Sequence, residues 1–98
     1  MMKLTITPDA AQWFRQELLL NDGDSIRFLG KVYGKTEVHE GFSVGISMET
    51  PKDPLIQTIK QNTCFFIEKQ DAWFFERYDL TVGLDSALNE PAYHFNER

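Results

Sequence analysis

Cysteine is nearly absent: Cys64 is the single thiol in 98 residues. One cysteine forms no intrachain disulfide and no Cys-x-x-Cys zinc or redox pair, and its scarcity fits a reducing compartment. Basic residues are also in deficit, with ten Lys and Arg against fifteen Asp and Glu and a formal net charge of -5. Such a field repels phosphate backbones and anionic headgroups, which argues against nucleic acid and membrane surfaces as partners. No apolar run approaches the length of a membrane span, and Met1-Met2-Lys3-Leu4-Thr5-Ile6 turns polar too early for a secretory signal. The expected location is the cytoplasm. The nucleophile elbow, the Walker loop, the dinucleotide glycine pattern and the zincin helix are missing as well. No cofactor is implied, and the expectation is a protein that is not an enzyme.

Apolar residues are plentiful. Hydrophobic residues make up 42% of the chain and include eight Phe and two Trp, enough for one core without covalent staples. Residues 1–98 therefore read as one domain.

The organising stretch is Gly41-Phe42-Ser43-Val44-Gly45-Ile46-Ser47-Met48. Its strict alternation predicts a central strand with Phe42, Val44, Ile46 and Met48 in the core. Gly41, Ser43, Gly45 and Ser47 form an opposite face with little bulk, where another backbone or a ligand can approach closely. Ahead of it, Lys3 to Thr7 reads as a short strand. A helix then opens on Thr7 as N-cap, Pro8 at the first helical position and Asp9 against the helix dipole. Its apolar stripe of Ala10, Phe14 and Leu18, widened by Ala11, Trp13 and Leu20, is expected to end at Asn21-Asp22-Gly23-Asp24.

Ser25 to Gly30 reads as a strand, and residues 31 to 40 as a frayed strand and loop or an edge hairpin. Beyond the polar connection 49–54, residues 55–60 suit a short strand or a turn of helix, since Leu55, Ile56 and Ile59 fit either period, with strand the preferred reading; further strands are expected at 63–68, 80–84 and 89–95. Thr63-Cys64-Phe65-Phe66-Ile67-Glu68 is apolar on both sides, which suits burial on two faces. The aromatic cluster Trp73-Phe74-Phe75 suits a helical turn laid over the sheet. Many short strands with an N-terminal helix and one short additional helix give a mainly β architecture.

Candidate chemistry is sparse. His39, His94 and Cys64 are far apart with no recognisable ligand spacing. Cys64 sits in an apolar strand without a neighbouring cation, and reads as an inert packed thiol. Glu37 with Glu40, or Asp85 with Glu90, could form a carboxylate pair, although acidic loop residues of an acidic chain are usually solvated charge.

The order Thr5-Ile6-Thr7, Ala11-Gln12-Trp13-Phe14, Gly23-Asp24-Ser25-Ile26-Arg27-Phe28, Gly41-Phe42-Ser43-Val44-Gly45-Ile46 and Leu88-Asn89-Glu90-Pro91-Ala92-Tyr93-His94-Phe95 resembles the HesB-like family, the A-type carriers of iron-sulfur cluster biosynthesis. The resemblance implies a compact β-sandwich or pseudobarrel with flanking helices. Carriers of this kind hold iron or a cluster with three cysteines, one ahead of the central strand and two in a Cys-Gly-Cys tail. Residues 34 to 41 contain no cysteine and the chain reads Phe95-Asn96-Glu97-Arg98 where that tail would follow. It therefore resembles a cysteine-free branch, without the thiolates that hold a cluster.

The expected function is a HesB-like scaffold that has lost its cluster site and serves as a binding or accessory protein for a protein partner, as monomer or homodimer. Where the carriers keep their cysteine loop, Tyr33, Lys35, His39, Glu40 and Ser43 are the candidate surface site. Two alternatives stand beside this. One is a residual iron or metal binder using His39, Glu37 or Glu40, with groups from a second subunit; the other is a small enzyme with His39 and a carboxylate as acid and base.

Overall fold

Thr7 caps the first helix as its sequence requires: its Oγ1 accepts a hydrogen bond from the Ala10 backbone N–H at 3.3 Å. A computed structural model describes residues 1–32, Gly34, Thr36 and 41–98. Along these residues the chain runs β1 (Leu4–Ile6), α1 (Pro8–Glu17), β2 (Ser25–Lys31), β3 (Ser43–Met48), β4 (Pro54–Lys60) and β5 (Thr63–Glu68). A single 3-10 turn, Lys69–Asp71, then leads into α2 (Ala72–Phe75), β6 (Tyr78–Asp85) and β7 (Glu90–Glu97).

The strands form two mixed sheets, ordered β1-β6-β7 and β3-β2-β5-β4. β1 runs parallel to β6, and β2 parallel to β5, while the remaining pairs are antiparallel. β1 lies against β4 of the other sheet, which draws the two layers together. This mainly β arrangement is the one expected from the sequence, including the N-terminal helix and the short second one.

Alternation fills the space between the layers. Leu4, Ile6, Leu80 and Val82 come from the first sheet, and Ile26, Phe28, Phe65 and Ile67 from the second. The Phe14 ring of α1 meets Phe28 at 5.9 Å and Phe65 at 5.5 Å, and Phe28 meets Tyr93 of the opposite sheet at 6.0 Å. Edge-to-face pairs of this kind add about 0.5–1.5 kcal/mol each beyond the area they bury. β5 lies inside its sheet, and Phe66 is buried on the face opposite Phe65 and Ile67. Burial on both faces is what its unbroken apolar run implies.

Three details differ from the sequence expectation. α1 stops at Glu17 because Leu19 takes the left-handed conformation, with φ 52°, before Asn21 is reached. Among the described residues β3 stands at the edge of its sheet, and Ile46 and Met48 overhang the core at 37% and 55% exposure, although their register partners Phe28 and Ile26 are fully buried. The glycine face of β3 is also closed by the chain itself. A Cβ on Gly45 would stand 2.7 Å from Lys31 Cγ and 3.2 Å from Leu29 Cδ1, so side chains of the neighbouring β2 fill the space left by the missing one.

A two-residue turn joins β4 to β5 with Gln61 and Asn62 both at positive φ. This is the left-handed pair that twisted antiparallel strands favour. Arg15 of α1 secures it, donating from Nη1 to the Gln61 carbonyl at 2.8 Å and to Thr63 Oγ1 at 3.1 Å.

Candidate functional site

Of the five candidate surface residues, Tyr33, Lys35, His39 and Glu40 lie outside the described residues, as does Glu37. Ser43 opens β3 opposite Lys31. Gly34 comes back against it with φ +90°, and a Cβ built there would lie 2.9 Å from the Ser43 Cβ. Both the left-handed backbone and the close approach call for glycine at this point.

Of the other chemical candidates, Asp85 and Glu90 stand opposite each other at the end of the β6–β7 register, while Cys64 and His94 lie in different sheets. Cys64 lies on β5 in register with Ile59, its Sγ 3.9 Å from Gln57 Oε1. Burial pushes its thiol up, against a smaller opposing effect of Ser25, so the nucleophilic thiolate is disfavoured. Asp85 Oδ1 accepts from the Ala87 and Leu88 backbone N–H groups at 3.0 and 3.2 Å and shapes the β6–β7 turn. His94 is exposed on β7 opposite Thr81. Among the described residues, no group of three or more His, Cys, Asp or Glu is placed to hold a metal ion. No helix among them is long and apolar enough to cross a membrane.

One charged cluster is well built. Arg27 of β2 donates from Nη2 to Asp71 Oδ2 at 2.7 Å and from Nη1 to Glu49 Oε2 at 3.1 Å. Ser47 first, and Arg27 after it, hold the Glu49 carboxyl below the ordinary carboxylate value. Burial opposes the charge on Arg27, yet hydrogen bonds and attraction from Asp71 and then Glu49 raise its proton affinity. An always-charged guanidinium paired with an acidified carboxylate has no proton to exchange near neutral pH. The cluster acts as a clamp that fastens the Lys69–Asp71 turn to the sheet.

That clamp fixes α2, and α2 presents Trp73. Phe74 and Phe75 go into the core while Trp73 stays 54% exposed, its ring 5.5 Å from Phe42 and nearly perpendicular to it. Phe42 and Val44 pack partly against the core, and Ile46 and Met48 follow on the same side of β3. The result is an apolar row running from Trp73 along the edge strand. The alternation predicts core positions for Phe42, Val44, Ile46 and Met48 alike. It carries no signal against them, because a period of two is the same for an edge strand and an interior one.

No protein-family model matches the chain. The Bacillus subtilis pyruvate dehydrogenase inhibitor is 34% identical over 94 residues, a match spanning 96% of this chain and 99% of that protein. Among solved structures, IscA with its 2Fe-2S cluster superposes with a TM-score of 0.57 at 16% identity, over 96% of this chain and 81% of that one. Escherichia coli SufA, involved in biosynthesis of iron-sulfur clusters, gives 0.54 at 21% identity, over 97% and 80%. The fold is thus the HesB-like fold of the A-type carriers, with a cysteine-poor sequence laid on it. The described residues do not fit a cluster: Cys64, the single thiol of the chain, sits within a sheet, and its environment favours the protonated form.

Proposed function

The chain belongs to the family of the Bacillus subtilis pyruvate dehydrogenase inhibitor, and from that premise we propose that it is a non-enzymatic protein that binds and inhibits a pyruvate dehydrogenase, working without metal or cluster. The observation that carries this reading is the likeness itself, which spans 96% of this chain and 99% of that protein. Two features of the molecule support it. The lone thiol is unsuited to cluster transfer, and the exposed apolar row offers a surface for a protein partner.

The test is titration of the purified protein into the Bacillus subtilis pyruvate dehydrogenase complex while NADH formation from pyruvate is followed. Saturable inhibition at a fixed ratio of protein to complex is the expected result. An unchanged rate in the presence of excess protein would overturn the proposal.

A further inference from the structure

We propose that the row formed by Trp73, Phe42, Ile46 and Met48 is the contact centre for the inhibited enzyme, seating on an apolar patch rimmed by basic side chains. This inference rests on the inhibitor reading above and assigns it a surface. The row is presented by two elements, α2 and the overhanging side of β3, and the Arg27 clamp holds the turn that leads into α2.

Two observations select a different protein over a second copy as the occupant. The exposed halves of Trp73 and Met48 and the exposed third of Ile46 together present roughly 300 Å² of apolar surface, the scale of a single functional patch. A standard stable interface buries about 800 Å² on each partner, so the row is too small to hold two copies together by itself and suits the anchoring centre of a larger heterologous contact. The net charge of -5 makes two copies repel each other and draws the chain towards a basic surface. Trp73, at the head of the row, is of the residue type in which interface energy concentrates.

The experiment is biolayer interferometry on immobilised pyruvate dehydrogenase complex, with the wild-type chain, Trp73→Ala, the double variant Ile46→Ser/Met48→Ser, and Ile59→Ser as control. Ile59 is 67% exposed on β4, at the far edge of the same sheet. Melting curves confirm that each variant is folded, and Met48→Glu serves as a further single change at the most exposed position of β3. The expected result is binding weakened by about tenfold or more in the row variants, unchanged in Ile59→Ser, and weaker for the wild type as salt rises. Row variants that bind as tightly as the wild type would overturn the surface assignment while leaving the inhibitor reading intact. Binding that strengthens with salt would overturn the basic rim. A wild-type dimer in sedimentation that Trp73→Ala dissolves would assign the row to a second copy and overturn the proposal, and no wild-type binding at all would overturn both readings.

Discussion

Gly30→Ala adds one methyl group, and the structure places it against a ring that has nowhere to go. The new Cβ would stand 2.7 Å from Phe74 Cδ2, 3.0 Å from Cγ and 3.3 Å from its Cβ. Contact reaches the root of the side chain, so a rotation at the far end of the ring does not relieve it. Phe74 is 1% exposed and bounded by Phe75 at 4.7 Å, Trp73 at 5.5 Å and Phe95 at 6.1 Å. Overpacking of this kind costs about 1–3 kcal/mol, while replacing glycine by alanine restricts the unfolded chain and returns about 0.4–1 kcal/mol. Contact at the root of the Phe74 side chain puts the overpacking cost in the upper part of its range, about 2–3 kcal/mol, so the balance is a loss of about 1–2.6 kcal/mol. For a domain of this size that lowers the midpoint of thermal unfolding by roughly 4–21 °C.

The assay is a pair of melting curves followed by circular dichroism, with Phe74→Leu and the double variant completing a cycle. Leucine removes the ring, so the double variant should be less destabilised than the sum of the two single changes. A Gly30→Ala protein as stable as the wild type would refute the packing described for α2. With it would fall the account of how Trp73 is held at the surface.

Two further predictions concern other parts of the molecule. Arg15→Met removes the donor that satisfies Thr63 Oγ1 and the Gln61 carbonyl and should cost about 1–2 kcal/mol, read as a lower midpoint in urea with an unchanged slope. The Tyr93 hydroxyl is pushed well above its ordinary value, first by burial and then by the charge of Glu90. The unfolded chain therefore ionises first, near pH 10, and stability, intact below that pH, falls as pH rises further. Denaturant midpoints measured across the alkaline range should show the decline, and Tyr93→Phe should make it shallower; an equally steep decline in the variant would contradict the assignment.

Much of the scaffold was legible because local rules and tertiary packing agree in it. Thr7, Pro8 and Asp9 announce α1, the two-sided apolar run 63–68 announces an interior strand, and the aromatic cluster at 73–75 announces a cover over the sheet. β3 was misjudged for a physical reason. A period of two states that one side of a strand is apolar, and is silent on whether the strand has a neighbour on both edges, so Ile46 and Met48 looked like core. Gly45 misled similarly, since the room left by a missing side chain can be taken by Lys31 and Leu29 of the same chain as readily as by a ligand. The turn at Gln61-Asn62 carries no glycine to announce it. The candidate cluster around Ser43 was chosen by analogy with the carriers' cysteine loop, and of its five members Ser43 alone falls among the described residues. Trp73, by contrast, is placed by the ion pair between Arg27 and Asp71, residues 44 positions apart, a pairing that no local pattern encodes.

The proposed inhibition by a HesB-like fold would need no iron-sulfur cluster. The most direct measurement is anaerobic incubation with ferrous iron and sulfide, followed by desalting, iron analysis and an absorbance spectrum, with Cys64→Ser and His39→Ala alongside and each sample then assayed for inhibition of pyruvate dehydrogenase. The expected result is no retained iron in any of the three proteins and equal inhibition before and after treatment. Iron retained in stoichiometric amount and lost with Cys64 or His39, or inhibition that emerges only in the loaded protein, would contradict it.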